Sequence, residues 1–253
     1  MIKQYNYTDL AKYYDILELN VSTSYEDINN FLHLIFKKNK IKTILDMTCG
    51  TGAQAISLMK KGYNVTALDI NKSMLAIAKE KSKGLNIIFK KGDIRTSKIG
   101  KFDAIISIFN AIGHLSKNDF QKALGNIHAN LKEKGLYIFD IFNIDFMRAG
   151  GFIEYEFIDR ALDFKGTKFV RFNKNKLDFK GGIIAIDQKT FIQESLNKPK
   201  IFNEEWDMKI YSIEELKSLL QKSNFQILNV FGGPNHKFLK TESSSIFIVC
   251  QKL

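Results

Sequence analysis

Short apolar runs alternate with amphipathic stretches along most of this chain. Five runs have the length and the β-branched content of buried strands, over about 41–46, 64–69, 86–90, 102–108 and 135–140. Five longer segments have apolar residues spaced as on one face of a helix, over about 24–36, 53–61, 72–82, 117–132 and 211–220. This alternation predicts an α/β fold in which a doubly wound parallel sheet has helices on both faces.

The periodicity changes between residues 152 and 210. Aromatic and apolar residues there alternate with charged ones, as in Lys168-Phe169-Val170-Arg171-Phe172. A period of two is typical of half-exposed antiparallel strands. The segment therefore predicts an antiparallel β layer rather than a further α/β unit. We expect this layer to cover the site at which a substrate binds.

The α/β pattern resumes after this segment, and two last strands are expected over about 225–231 and 244–251. With the five earlier strands they make a seven-stranded, Rossmann-like sheet that ends in an antiparallel hairpin. We therefore expect one domain formed by residues 1–151 and 211–253, with an inserted antiparallel β subdomain over 152–210.

The residues that carry chemistry follow the strands. Asp46 ends the first strand, and the turn 47–52 has two glycines with one residue between them. The glycines permit positive φ and close backbone approach, and the start of the next helix offers unpaired N–H groups. A third Gly and a Gly-Lys-Ser/Thr sequence are absent, which excludes a dinucleotide fingerprint and a phosphate loop. The turn suits a nucleoside with a small charged tail.

Two further strands end in acids. Asp69 comes 69 − 46 = 23 residues after Asp46, and an acid about 20 residues on accepts the ribose hydroxyls in nucleotide-binding α/β units. The alternative is that Asp69 only caps the helix that begins near Lys72. Gly92-Asp93 follows the third strand, where the alternative is a plain turn. Three such signals in order favour a nucleoside site.

The turn after the first strand resembles motif I of the class I S-adenosylmethionine-dependent methyltransferases. Thr48 departs from the pattern, since many members carry Gly or Ala there. The resemblance implies that Asp69 binds the ribose of S-adenosylmethionine, that Asp93 binds the adenine amine, and that S-adenosylhomocysteine is a product. The donor-binding residues that it implies are Asp46, Thr48, Cys49, Gly50, Thr51, Gly52, Asp69, Ile70, Met74, Gly92, Asp93, Ile94, Ile108 and Phe109.

The loop after the fourth strand bears on the acceptor. Residues 107–115 contain no Asn/Asp-Pro-Pro-aromatic motif, which would indicate methylation of an amide or adenine nitrogen, and no Cys for carbon methylation. His114 remains, and a His can take the proton that an ammonium must lose before its nitrogen attacks. The alternative is that His114 caps or packs at the start of the helix near Ser116.

Residues 109–115 are similar to the same loop of bacterial N,N-dimethyltransferases that act on nucleotide-linked amino sugars, and Tyr14-Asp15 also resembles that group. This resemblance implies that His114 and Tyr14 lie near the substrate amine. Tyr14 belongs to a tyrosine-rich arm that either folds over the site as a lid or simply packs on the sheet. Because the inserted segment differs from that group, glycine-like amines stay open as acceptors. An RNA or protein substrate and O-methylation of a small molecule are the alternatives.

A positive net charge favours a nucleic-acid partner, but the types of basic residue do not. The chain has 38 basic and 27 acidic residues, a net charge of +11. The basic residues are almost all Lys, whereas Arg is the preferred reader of phosphates and bases. We therefore expect a small-molecule acceptor and no nucleic acid, metal or membrane partner. The two cysteines, Cys49 and Cys250, indicate reduced thiols in a cytoplasmic protein.

Overall fold

Five parallel strands form the centre of the computed structural model, which describes residues 2–18 and 25–253. They are β1 (Thr43–Asp46), β2 (Asn64–Asp69), β3 (Ile88–Lys91), β4 (Phe102–Ser107) and β5 (Leu131–Phe142). β1 pairs with both β2 and β4, so the chain moves outward on one side and then returns to continue on the other. Such a reversal of strand order is where open α/β sheets bind ligands.

Helices connect and flank these strands. The N-terminal ones are α1 (Tyr7–Leu10), α2 (Tyr14–Glu18) and α3 (Tyr25–Lys38), and a 3-10 turn (Ala11–Tyr13) joins the first two. The later ones are α4 (Ala53–Lys60), α5 (Lys72–Lys81), α6 (Lys117–Asn130), α7 (Ile144–Arg148) and α8 (Ile213–Lys222). The proposed cap of α3, Ser24, lies outside the described residues.

Apolar residues cover both faces of the central strands. Leu45 and Ile105 belong to a core that includes apolar residues of α6 and α8. Their chain neighbours Ile44 and Ile106 belong to a second core, with residues of α3 and α4. All four side chains are fully buried. Successive side chains of a strand point to opposite faces, so continuous apolar runs are what a sheet covered on both sides requires.

A second sheet contains four strands, β6 (Glu156–Phe164), β7 (Thr167–Asp178), β8 (Ile183–Glu194) and β9 (Lys200–Lys209). All neighbouring pairs are antiparallel, in the order β6-β7-β8-β9. The prediction of antiparallel strands from the period-two pattern is therefore confirmed. One face of this sheet packs against α1 and α2 through Phe169 and Ile192.

The chain then returns to the main sheet. β10 (Phe225–Gly233) and β12 (Ser245–Lys252) are antiparallel to each other, and β12 is antiparallel to β5. A short strand, β11 (His236–Lys237), extends the edge, so the order is β11-β10-β12-β5-β4-β1-β2-β3. The predicted fold class is confirmed, with one short strand more than the seven expected. The boundaries of the two domains stay a prediction.

Some element boundaries were predicted wrongly. Helix α6 ends at Asn130 rather than at 132, because Leu131 is extended and begins β5. The side chain of Asn130 accepts from Ile99 N at 2.7 Å and donates to Ser97 O at 3.0 Å, which ties this end of the helix to the loop before β4. α7 was not predicted at all. Among residues 2–18 and 25–253, no helix combines the length and the apolar character that crossing a membrane requires.

Candidate active site

A cavity of about 900 Å³ lies where the chain leaves the carboxyl ends of the parallel strands. All of the predicted donor-binding residues except Asp46 and Gly52 line it, and so do Tyr14 and His114. Asp46 and Gly52 do not line the cavity and instead stabilise the conformation of the turn. Asp46 is buried and accepts from Thr48 N at 3.2 Å, and its burial raises the pKa of its carboxyl to about 7.

The glycines of the turn have the conformations that their positions require. Gly50 has φ +52° and Gly52 has φ +83°, values that other residues rarely adopt. Gly52 also caps α4, and a Cβ atom there would lie 3.1 Å from Ala78 Cβ of α5. The turn is therefore both left-handed and tightly packed, which brings its backbone to the cavity wall.

Asp69 is fixed by backbone groups on both sides. Its Oδ2 accepts from Gly50 N and its Oδ1 accepts from Asn71 N, each at 2.8 Å. Burial raises the pKa of this carboxyl above its ordinary value, and these hydrogen bonds oppose the shift. The alternative role as helix cap is taken by Asn71, whose side chain accepts from Ser73 N and Met74 N.

Asp93 is held by a neighbour that sequence reasoning did not single out. Arg95 donates from its backbone N and from Nε to Oδ1, at 2.8 and 3.0 Å, and from Nε and Nη2 to Oδ2, at 3.0 and 2.6 Å. These hydrogen bonds lower the pKa of Asp93. They also engage the acceptor capacity of both oxygens, so the predicted contact with an adenine amine would require Arg95 to share the carboxylate. The sequence feature that could have indicated this pairing is the position of Arg95, two residues after Asp93.

His114 ends a 3-10 helix, Ala111–His114, directly after β4 and its loop. Its Nε2 lies 2.7 Å from the hydroxyl of Tyr7, and its buried Nδ1 has no hydrogen-bond partner. The alternative of a helix cap is excluded, because Ser116 caps α6 by accepting from Asp119 N at 3.1 Å. Burial lowers the pKa of His114 to about 4, so the imidazole is neutral at pH 7.

The second sheet packs against the loop that carries His114. Trp206 of β9 stacks on the His114 ring, with the centroids 5.5 Å apart and the planes 30° apart. Gly113 faces the same strand so closely that a Cβ atom would lie 2.7 Å from Met208 Cγ and 3.0 Å from Lys209 O. The inserted strands therefore support the loop of His114, although none of their residues lines the cavity.

The N-terminal arm, residues 2–18, forms a wall of the cavity. Tyr7 packs edge-on against both Tyr14 and Tyr5, with centroids 5.8 and 4.5 Å away, and Tyr5 packs edge-on against Trp206 at 5.2 Å. Burial raises the pKa of Tyr7 and of Tyr14 well above the ordinary tyrosine value, so both hydroxyls stay protonated. This aromatic cluster (Tyr5, Tyr7, Tyr14, His114 and Trp206) was only partly predicted, because Trp206 gave no signal in the sequence.

Hydrogen bonds attach the arm to both sheets. Asp15 accepts from Thr51 of the glycine turn and pairs with Lys81 of α5. Lys3 and Asp207 form two hydrogen bonds: Asp207 N donates to the Lys3 carbonyl oxygen at 3.0 Å, and Lys3 N donates to the carboxylate Oδ2 of Asp207 at 2.9 Å. The arm thus lies across the cavity, held at both ends.

Acid should destabilise the protein through His114. Its pKa in the folded state lies below the ordinary 6.5, so between about pH 6.5 and 4 the unfolded chain binds the proton first. The stability linked to this group is complete above pH 6.5 and is lost as the pH falls toward 4, by an amount on the order of 3 kcal/mol. Urea unfolding of the wild type and of His114→Asn at pH 7 and pH 5 measures it. An equal loss in both proteins would contradict the expectation.

Most of the residues that line the cavity belong to a part of the chain that is similar to known proteins. Residues 44–135 match the family model described as a methyltransferase domain. Over a longer span, 213 residues, the chain is 27% identical to a putative methyltransferase, YqeM, of Bacillus subtilis, with 83% of each protein covered. It is also 30% identical over 128 residues to a glycine/sarcosine N-methyltransferase of Parasynechococcus marenigrum, which covers 48% of this chain and 45% of that enzyme.

Solved structures agree in fold. An S-adenosylmethionine-dependent methyltransferase from Clostridium acetobutylicum has a TM-score of 0.83 at 23% identity and covers 97% of this chain and 98% of that one. CalS10 from Micromonospora echinaspora, an amino pentose methyltransferase solved with S-adenosylmethionine, has a TM-score of 0.75 at 18% identity and covers 98% of each. The predicted resemblance to class I methyltransferases is confirmed.

Proposed function

We propose that this protein transfers a methyl group from S-adenosylmethionine to an amine nitrogen of a small molecule. The observation that carries the proposal is a buried, neutral imidazole in the same cavity as the predicted nucleoside-binding residues. His114 faces this cavity from the loop after β4, and the N-terminal arm closes over it. An enclosed site of this kind suits a small acceptor rather than a chain segment.

The donor half of the cavity fits a nucleoside. A carboxylate oxygen can accept two hydrogen bonds, and each oxygen of Asp69 accepts one from the backbone. Both therefore keep capacity for a ribose hydroxyl. The left-handed glycines Gly50 and Gly52 allow the turn to approach a ligand, with no Cβ atom in the way. When bound, S-adenosylmethionine supplies an electrophilic methyl group on a sulfonium sulfur.

The acceptor half fits an amine. A nitrogen attacks only with its lone pair free, so an ammonium must first lose a proton. His114 is neutral at pH 7 and can accept a hydrogen bond or a proton from the amine. Burial lowers the pKa of an amine as it lowers that of the imidazole, so an amine bound in this cavity loses its proton more readily than it does in water. Tyr14, beside Tyr7 in the cavity wall, positions the acceptor.

Tyr7 and His114 form a pair that leaves one hydrogen-bonding atom free. If Tyr7 donates to Nε2, then Nδ1 carries the ring proton without a partner. If Nε2 donates instead, Nδ1 is an acceptor without a partner, and the Tyr7 hydroxyl is free to donate. The Tyr7 hydrogen bond orients the imidazole in both arrangements, and in the second one Nδ1 is left as an acceptor for an amine N–H.

Changing Tyr7 to Phe should lower turnover about tenfold and leave donor affinity unchanged. The ring and its packing remain, and only the hydrogen bond that orients the imidazole is lost, worth about 0.5–1.5 kcal/mol. Steady-state kinetics with saturating donor measure the change. Tyr13→Phe is the matched control, since Tyr13 lies on the same arm but donates to Glu194 at 2.8 Å, away from the cavity. An equal effect of both variants would point to the stability of the arm instead.

The relatives support an amine acceptor. By their names, the glycine/sarcosine N-methyltransferase and CalS10 act on a small amino acid and on an amino pentose. The decisive experiment is a turnover assay that follows S-adenosylhomocysteine with glycine, simple alkylamines, amino sugars and structured RNA as acceptors. We expect turnover with small amines only. Turnover with RNA alone, or with alcohols and not amines, would overturn the proposal.

A further inference from the structure

Two residues in the loop after β4 have a backbone conformation that residues other than Gly rarely adopt. Phe109 has φ +66° and Asn110 has φ +55°, so the chain makes a left-handed turn soon after the strand ends. Such conformations persist only where the surrounding structure fixes them. This left-handed turn (Phe109 and Asn110) therefore requires a partner that holds it.

The left-handed turn determines the position of two groups that line the cavity. Phe109 lines the cavity and packs edge-on against Tyr25, with the ring centroids 4.7 Å apart. The carbonyl oxygen of Asn110 accepts from Gly113 N at 2.8 Å, within the 3-10 helix that ends at His114. A change in this turn would therefore move the imidazole of His114 as well as the Phe109 ring.

A buried carboxylate on the neighbouring strand holds the left-handed turn. Asp140 of β5 is 4% exposed, and its Oδ2 accepts from Asn110 N at 3.3 Å. β5 lies beside β4 at this point, since Phe139 is in register with Ser107. Asp140 is not among the described residues that line the cavity, so it acts on a bound ligand only through the turn.

The charge of this carboxylate is stabilised by the left-handed turn itself. Burial raises the pKa of Asp140 to about 7, and hydrogen bonds from the backbone N–H groups of Asn110 and Phe109 oppose this shift. Its Oδ1 is buried and has no hydrogen-bond partner within residues 2–18 and 25–253. Because burying a carboxylate is costly, an acid at this position indicates a role that an apolar residue would not fill.

We infer that Asp140 is a positioning residue for methyl transfer, because its carboxylate holds the left-handed turn that places His114 beside the acceptor. The inference rests on the proposed function, which gives His114 its role. Hydrogen bonds to a charged acceptor are stronger than those between neutral groups, so a carboxylate fixes the backbone of the turn better than an amide does. The four-residue 3-10 helix that follows carries this position to the imidazole.

Asp140→Asn should lower kcat at least about fivefold at pH 8, where the wild-type carboxylate is ionised. Asn has the shape of Asp, but its amide oxygen forms only a neutral hydrogen bond. Turnover of glycine, 1-aminopentane and glucosamine at saturating S-adenosylmethionine measures the change. Asp103→Asn is the matched control, since Asp103 also accepts from backbone N–H groups but lies at the amino end of β4. It should keep the wild-type rate.

A double-mutant cycle with His114→Asn separates positioning from a general effect on stability. If Asp140 acts through His114, Asp140→Asn should lower kcat no further in a protein that already carries His114→Asn. The same fold-loss in both backgrounds would overturn the inference, because it would show that Asp140 supports the enzyme without acting on the imidazole.

The fluorescence of Trp206 gives a readout that does not require turnover. Trp206 is the single Trp of the chain, and its ring stacks on His114. At pH 8, Asp140→Asn should move the emission to longer wavelength, because a displaced imidazole leaves the indole more exposed to water. Asp103→Asn should leave the spectrum unchanged.

Fluorescence and turnover together distinguish this inference from the proposed function. A wild-type spectrum and a wild-type rate on amines in Asp140→Asn would overturn the inference and leave the proposed function intact. A shifted spectrum of Asp140→Asn, when the wild type methylates none of the three amines, would sustain the positioning of His114 by Asp140 and refute the proposed function.

Asn110→Ala tests the same turn if Asp140→Asn does not fold. Ala lacks the short polar side chain with which Asn tolerates the left-handed region, so the turn should open although Asp140 is intact. We expect the same fall in kcat and the same shift of the Trp206 emission. Wild-type values of both quantities would overturn the inference.

Discussion

His114→Asn should lower turnover at least about tenfold while the affinity for S-adenosylmethionine stays unchanged. A general base contributes about 10²–10⁴-fold, and an Asn amide can hold a hydrogen bond but cannot take a proton. Asp69 ends β2 and the glycine turn follows β1, so the groups expected to hold the ribose lie outside the loop of His114. The loss should therefore appear in kcat and not in donor affinity. Turnover at saturating donor and calorimetry with S-adenosylhomocysteine measure the two quantities.

The pH profile gives this prediction a second readout. Because burial lowers the pKa of His114 to about 4, the wild-type rate should rise with pH around that value, as the imidazole becomes neutral. The Asn variant should lack this step. Asp46 and Asp140, whose pKa values burial raises to about 7, titrate in both proteins and so do not affect the comparison.

His236→Asn is the control for the His114 variant, because His236 is exposed on the short strand β11. It should retain the wild-type rate and profile. A folded His114→Asn enzyme that turns over amines at the wild-type rate would show that His114 only packs against Trp206 and Tyr7.

The features that were predicted correctly from the sequence are those that residues close together in the chain determine. Apolar runs and helical spacing identified the five parallel strands, since burial on both faces leaves continuous apolar segments. Strand-end acids were found in the same way, because the residue after a strand and the turn that follows it are neighbours in the chain. Asp69 illustrates this, as its backbone partners Gly50 and Asn71 belong to the motifs already singled out.

The acceptor side could not be predicted in the same way. Tyr5 and Trp206 are in contact although they are 201 positions apart, and two hydrogen bonds between Lys3 and Asp207 bring their segments together. The hydrophobic pattern of either segment does not predict that it contacts the other.

Helix boundaries were predicted wrongly where tertiary side-chain contacts determine them. α6 stops at Asn130 because the Asn side chain bonds to the preceding loop, a tertiary contact that helix spacing does not register. α7 forms over five residues, capped by Asn143, whose side chain also donates to Lys240 O and Ser243 O at 2.8 Å. A helix this short depends on such contacts rather than on its own propensity.

Asp69→Ala should weaken the binding of S-adenosylmethionine about ten- to a hundredfold, and the protein should remain folded. A hydrogen bond to a charged group is worth about 1.5–3 kcal/mol, and the carboxylate is expected to accept from the ribose. The variant also leaves Gly50 N and Asn71 N without their acceptor, so a moderate loss of stability should accompany the loss of affinity. Asp103→Ala is the matched control: Asp103 also accepts backbone N–H groups, from Lys42 at 3.0 Å and Thr43 at 2.8 Å, but it lies at the amino end of β4. It should lower stability and leave donor affinity intact, and calorimetry that finds the two variants equal in affinity would refute the ribose role of Asp69.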